Sequence, residues 1–347
     1  MPELNTQPGH PQSTGTSPGQ HSRARPSRPP RKFQAAAALL AAAGTGLLLA
    51  ACSSTASTIP AAAGPLPATN SAEAGGVPQG AYVALGDSYA AGPDIPDQVG
   101  ATTGCEQSSG SYPYLVAQRL RLRLADMTCS SATIASLSSP QPTDDGTNPA
   151  QLSKLSEGTR VVTLGIGGND IDWAGVITRC TGLDLVPALI PGGATSDFAP
   201  CQDYYTSGGV DQIQARIRAT AGNLASALSK IRRLAPHARV YVVGYPDLLP
   251  AAGGTCAHSL GLTKGDADFL NNAETQLNSM LRQDARAADD GYVDTYTPSE
   301  GHDACSSPAS RWIEPLLPAA PAAPLHPNAL GEQGMAGAVI DTVTGAA

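Results

Sequence analysis

From Ala81 onward the sequence alternates short, nearly continuous apolar runs with longer stretches of helical period, and this alternation limits the fold more than any other feature. The runs Tyr82-Val83-Ala84-Leu85, Arg160-Val161-Val162-Thr163-Leu164-Gly165-Ile166, Arg239-Val240-Tyr241-Val242-Val243-Gly244 and Tyr292-Val293-Asp294-Thr295-Tyr296 are rich in β-branched and aromatic residues. They lack the alternating polarity of a strand with one wet face, which is the pattern of parallel strands covered on both faces. A weaker strand candidate lies at Ala125-Asp126-Met127-Thr128. Helices are expected between them, over 112–124, 211–234, 266–288 and 328–343. In the second of these, Ile213, Ile217, Leu224, Leu228 and Ile231 fall near one stripe. Strand–helix alternation without an internal repeat predicts one α/β domain over 81–347, with a parallel sheet and helices on both faces. Segments 140–150 and 181–210 read as long loops at the rim of a site.

The residues before Ala81 have a different composition. Residues 1–34 are polar, Pro-rich and basic, and an uncharged Ala/Leu/Gly stretch follows from Ala35 to Ala51. That stretch is short for a membrane span and suits the core of a signal peptide. It ends in Leu49-Ala50-Ala51-Cys52, which resembles the processing site of bacterial lipoproteins. The expectation is a signal peptide over 1–51, then lipidated Cys52 and an Ala/Ser/Pro/Gly tether through residue 80 that cannot bury enough apolar surface to fold. Such a protein is exported and held by its N-terminal lipid at the outer face of the bacterial cytoplasmic membrane, in the cell envelope. Cleavage before Cys52 leaves 16 basic and 28 acidic residues, a net charge of −12, which argues against nucleic acid or anionic lipid head groups as partners. Seven cysteines less Cys52 leave six, an even number that in an exported chain implies three disulfides, with fifteen pairings open. No CxxC pair suggests zinc, and Asp144-Asp145-Gly146 lacks the spacing of a calcium loop, so no metal site is expected.

Three polar clusters stand where a parallel sheet puts its chemistry, at the carboxyl ends of strands or before the last helix. They are Gly86-Asp87-Ser88-Tyr89, Gly167-Gly168-Asn169-Asp170 and Leu325-His326-Pro327-Asn328. A serine hydroxyl needs a base to take its proton, and a developing oxyanion needs fixed N–H donors. Ser88, His326 and Asn169 offer one candidate for each role. Taken singly, Ser88 and Asn169 could be helix N-caps and His326 a residue preceding a helix.

In this order and spacing the three clusters resemble the SGNH (GDSL) hydrolases, and within them the exported actinobacterial esterase/lipase branch. The resemblance spans residues 82–340. It implies a three-layer αβα sandwich with a five-stranded, flavodoxin-like parallel sheet. It also implies carboxylic-ester hydrolysis through an acyl-enzyme, with a small ester or lipid as substrate and no cofactor. Ser88 then matches the nucleophile, His326 the general base, and Asn169 together with the Ser88 and Ser131 main-chain N–H groups the oxyanion hole. Ser131 stands where the family usually has glycine, so a side chain there crowds the pocket or restricts φ to negative values. Ala323 stands where many members carry the acid of a triad. A Ser–His dyad is therefore expected, with the Ala323 carbonyl as the first candidate for orienting the imidazole. The branch pairs its cysteines consecutively, which implies Cys105–Cys129, Cys180–Cys201 and Cys256–Cys305. His302 sits where members often have a Gly-His segment and is expected to hold structure by a hydrogen bond. Asp87 and Asp170 are expected to do the same. Two other functions fit the same residues less well: a carbohydrate O-deacetylase and a ligand-binding lipoprotein without chemistry.

Overall fold

The structure, a computed structural model, describes residues 81–99, 104–250 and 260–346. The expected signal peptide, Cys52, the tether and Cys256 lie outside these residues. Five parallel strands form the main sheet: β1 (Ala81–Gly86), β2 (Arg123–Asp126), β3 (Thr159–Gly165), β4 (Arg239–Val243) and β5 (Gly291–Val293), in the order β2-β1-β3-β4-β5. This is the flavodoxin-like order, in which the strand sequence reverses between β1 and β3. Eight helices matter to the account: α1 (Ser88–Ala91), α2 (Tyr112–Leu120), α3 (Ile134–Ser138), α4 (Trp173–Leu189), α5 (Pro200–Thr206), α6 (Gln212–Leu234), α7 (Lys264–Ala287) and α8 (Ala329–Thr344).

Alternation along the central strands builds two cores, one on each face of the sheet. Val83, Leu85, Val162 and Leu164 pack with Ile213, Leu224 and Leu228 of α6 and Leu277 and Leu281 of α7. Tyr82, Ala84, Val161 and Tyr241 pack on the other face with Tyr112 and Val116 of α2 and Met335 and Val339 of α8. Both faces are covered, so the central strands show no polar alternation in the sequence.

Four expectations about elements need correction. The helix expected over 112–124 stops at Leu120, because Arg121 takes a left-handed φ of 55° and the chain turns directly into β2. That strand begins at Arg123, two residues before the expected one, and its edge position lets it carry Arg123 and Asp126. The segment 181–210 is largely helical: it holds the second half of α4, a short 3₁₀ turn (Gly193–Thr195) and α5. It lacks an amphipathic signature because α4 is apolar on both faces and carries Pro187. Within 140–150, Gln141–Thr143 and Gly146–Asn148 pair as a hairpin whose turn is Asp144-Asp145.

Two of the implied disulfides are present, Cys105–Cys129 and Cys180–Cys201. The first joins the loop after α1 to the segment after β2; the second joins α4 to α5. Cys305 is disulfide-bonded.

The carboxyl end of β1 is fixed by a close approach. Gly86 has φ 153°, and a Cβ there would lie 2.5 Å from the Gly165 carbonyl oxygen of β3. The same carbonyl accepts the Asp87 N–H at 2.9 Å. Gly86→Ala is expected to cost about 3 kcal/mol or more, the sum of backbone strain and overpacking, read as a lower urea midpoint at unchanged m-value.

Candidate active site

Ser88 leaves the carboxyl end of β1 at the first residue of α1. Asp87 caps that helix, accepting the Tyr89 N–H at 3.0 Å. On its other oxygen the Asp87 carboxylate accepts the Tyr245 hydroxyl, and Tyr245 in turn accepts the Gly168 N–H at 2.8 Å. Burial pushes the Asp87 carboxyl up to about 7. One buried tyrosine thus joins the turn after β1 to the Gly167-Gly168-Asn169-Asp170 turn after β3, in front of the topological switch point.

His326 comes from the opposite end of the chain, and its Nε2 lies 2.7 Å from Ser88 Oγ. Its Nδ1 lies 2.7 Å from the Pro324 carbonyl oxygen. The expected acceptor, Ala323, is therefore corrected by one residue: its carbonyl takes the His326 main-chain N–H instead, at 3.2 Å. The cause is the backbone of Leu325, whose φ of 63° folds the chain back so that the ring meets the carbonyl two residues before it. An imidazole with Nδ1 donating to a carbonyl presents the bare Nε2 lone pair toward the serine, the tautomer a general base needs. Desolvation holds the His326 pKa below the ordinary histidine value, although the Pro324 carbonyl and the charges of Glu106 and Asp94 oppose it.

The loop that carries His326 is tied down by residues the sequence reading did not single out. The Tyr89 hydroxyl donates to the Leu325 carbonyl at 2.6 Å, and its ring centroid lies 5.0 Å from that of His326. Glu314, fully buried, accepts the Ala319 N–H at 2.8 Å and the Asn328 side-chain amide at 2.8 Å, and pairs with Arg311. Burial alone would raise the Glu314 pKa, but these donors, Asn328 foremost, hold it below the usual carboxylate value. Main-chain hydrogen bonds between Glu314 and both Leu325 and His326 complete the clamp. Asn328 also caps α8 through the N–H groups of Leu330 and Gly331. Tyr89 follows the serine in the first motif and Asn328 follows the histidine in the third, so position alone could have marked both. Glu314 had no such marker.

Ser131 takes φ 63°, so it adopts the left-handed conformation that glycine would supply rather than a negative φ. Such a conformation costs an L-residue roughly 1–2 kcal/mol. It is held from both sides: the Ser130 N–H donates to the Cys105 carbonyl, the Ala132 N–H to the Cys129 carbonyl, and Gln141 donates to the Ser130 carbonyl at 2.8 Å. Asn169 donates through Nδ2 to the Ala132 carbonyl at 2.9 Å. Asp170 accepts the Ile134 N–H at 3.0 Å, at the start of α3. The two residues therefore fasten the turn after β3 to the segment that carries Ser131.

Ser88, His326, Asn169 and Ser131 line one cavity of about 190 Å³, with Trp173, Ala174 and Ile177 of α4 among its apolar walls. His302 is elsewhere: its Nδ1 lies 2.6 Å from the Ser310 carbonyl and its ring stacks on Trp312. Among the described residues no group of three His, Cys, Asp or Glu side chains is placed to hold a metal.

Residues 84–333 match the model of the GDSL-like Lipase/Acylhydrolase family. Lipase 2 of Streptomyces coelicolor is 40% identical over 264 residues, covering 76% of this chain and 85% of that protein. Among solved structures, phospholipase A1 of Streptomyces albidoflavus is 28% identical with a TM-score of 0.61, covering 78% of this chain and all of the other. The extracellular lipase of Streptomyces rimosus is 26% identical with a TM-score of 0.61, covering 76% of this chain and 99% of that one. With the flavodoxin-like sheet and the ordered motifs at its switch point, these matches make the chain a member of the GDSL-like lipase/acylhydrolase family of carboxylic ester hydrolases.

Proposed function

We propose that the protein cleaves carboxylic esters by an acyl-enzyme route driven by a Ser88–His326 dyad. The observation that carries this reading is the 2.7 Å contact between Ser88 Oγ and His326 Nε2, with Nδ1 engaged by the Pro324 carbonyl. His326 takes the Ser88 proton as Oγ adds to the ester carbonyl, then returns it to the departing alcohol. A water deprotonated by the same imidazole releases the acid. The negative charge on the tetrahedral oxygen is met by the Asn169 amide and the Ser88 and Ser131 main-chain N–H groups, of which one side-chain donor is typically worth ~10²–10³ in turnover. The left-handed backbone of Ser131 supports this role, since the site retains the local geometry of glycine. With a carbonyl in place of a carboxylate, the imidazolium formed during proton transfer is stabilised by a dipole rather than by a full charge.

The substrate is proposed to be a fatty-acyl ester. The relatives named lipase and phospholipase support this, and so does the apolar wall of Trp173, Ala174 and Ile177 beside Ser88. We also propose that the domain is exported and anchored through a lipid on Cys52, with residues 53–80 between the anchor and the sheet. The disulfides Cys105–Cys129 and Cys180–Cys201 support export, because such bonds persist in oxidising compartments.

Ser88→Ala is expected to abolish hydrolysis of p-nitrophenyl esters across a series from acetyl to long-chain acyl groups while the thermal midpoint stays near that of the native protein. Unchanged rates would overturn the nucleophile assignment. A second expectation follows from the histidine. The base works only when neutral, and desolvation lowers its pKa, so activity persists into mild acid. The acid limb of the kcat/KM profile should have its midpoint below about 6.5, the ordinary histidine value. A midpoint above it would contradict the burial argument.

A further inference from the structure

The outer face of α4 breaks the usual rule of burial. Leu185, Val186 and Leu189 are 55%, 70% and 77% exposed, Ile190 at the helix C-terminus is 56% exposed, and Phe198, shortly before α5, is 54% exposed. The opposite face is apolar too, with Val176, Ile177, Cys180 and Ala188 buried. A helix that is apolar all round is normally enclosed. Within α4 the only charged side chains are Arg179, whose guanidinium lies 4.7 Å above the Tyr204 ring, and buried Asp184. The exposure is not fraying at a loose end. Cys180–Cys201 fixes the helix to α5, and Asp184 accepts both N–H and hydroxyl of Thr263, whose hydroxyl also reaches the Phe198 carbonyl at 2.7 Å.

The same helix also borders the catalytic cavity. Trp173, Ala174 and Ile177 of the first turns line that cavity. A separate shallow surface depression of about 480 Å³ lies over Gly175, Thr178, Arg179, Gly182 and Leu183, on the helix between the cavity-lining residues and the exposed apolar ones. A Cβ at Gly182 would meet nothing within 4 Å, so the surface is open at that point. From Ala174 to Leu189 the helix advances about 22 Å at 1.5 Å per residue.

We infer that the outer face of α4 from Leu183 to Ile190, with Phe198, docks the domain on a lipid surface and feeds aggregated lipid esters to Ser88. The inference rests on the ester-hydrolase reading above and specifies its substrate state. Chain length outside the domain favours this occupant. The residues between Cys52 and Ala81 span at most about 100 Å when extended, against a radius of gyration of roughly 18 Å for a domain of this size. A domain held at Cys52 can therefore turn its carboxyl edge to the bilayer that holds it. The chain that begins at Cys52 carries a net charge of −12, so docking is driven by apolar burial rather than by anionic headgroups.

The test compares the full chain with its Leu185→Ser/Val186→Ser/Leu189→Ser variant, which changes exposed positions only and keeps the same N-terminus. Two substrates are used: monomeric p-nitrophenyl butyrate, and phosphatidylcholine in zwitterionic vesicles. The expected result is an unchanged rate on the soluble ester and a fall of about tenfold or more on vesicles, with no loss of the native vesicle rate in added sodium chloride. Equal rates on vesicles, or a parallel fall on both substrates, would overturn the proposal. So would a dimer in gel filtration that the substitutions dissociate, which would give the face to a second copy. A native chain that cleaves the soluble ester but not vesicles refutes docking and leaves the hydrolase reading intact. Cleavage of neither refutes both.

Discussion

The contact between Gly86 and the Gly165 carbonyl governs where the chemistry can stand. Two neighbouring parallel strands end with their backbones closer than any Cβ would permit. The Asp87 N–H closes onto the same carbonyl, and the Gln151 side-chain amide holds both the N–H and the C=O of Gly86 at 2.9 Å. The main chain therefore leaves β1 in one direction only. It starts α1 at once, and Ser88 emerges at the switch point instead of extending the sheet.

Everything else that frames the serine is fastened to this turn by a small set of buried polar contacts. Tyr245 spans from Asp87 to Gly168, Asn169 and Asp170 reach the segment after β2, and Cys105–Cys129 closes that segment from the other side. Tyr89 carries the frame across to the histidine loop through the Leu325 carbonyl. Each hydrogen bond contributes only about 1 kcal/mol net to stability. Their larger effect is geometric, because they hold two left-handed residues, Ser131 and Leu325, in conformations that a free chain would leave. One of these adopts a backbone conformation that glycine favours, and the other aims an imidazole without a carboxylate.

Much of this was legible in the sequence, for identifiable reasons. The central strands announced themselves because both faces are covered, so Val83, Leu85, Val162 and Leu164 sit in uninterrupted apolar runs. The edge strand β2 was blurred by Arg123 and Asp126, which an edge tolerates. The helix α4 escaped notice because recognition of a helix relies on contrast between faces, and Leu185 to Ile190 supply none. The positions of Ser88, Asn169 and His326 followed from strand ends and motif order. The choice of Pro324 over Ala323 did not, since it turns on one φ angle at Leu325 that no local pattern encodes. The left-handed Ser131 has the same origin: a disulfide and main-chain bonds on each side override the preference of its side chain.

The central claim is that one serine, activated by one histidine held by a carbonyl, performs the reaction. It is tested most directly by labelling the folded protein with a fluorophosphonate and locating the adduct by mass spectrometry. The account predicts a single adduct on Ser88 that disappears when the protein is denatured before labelling. An adduct on another serine, or no adduct on the folded chain, would contradict it.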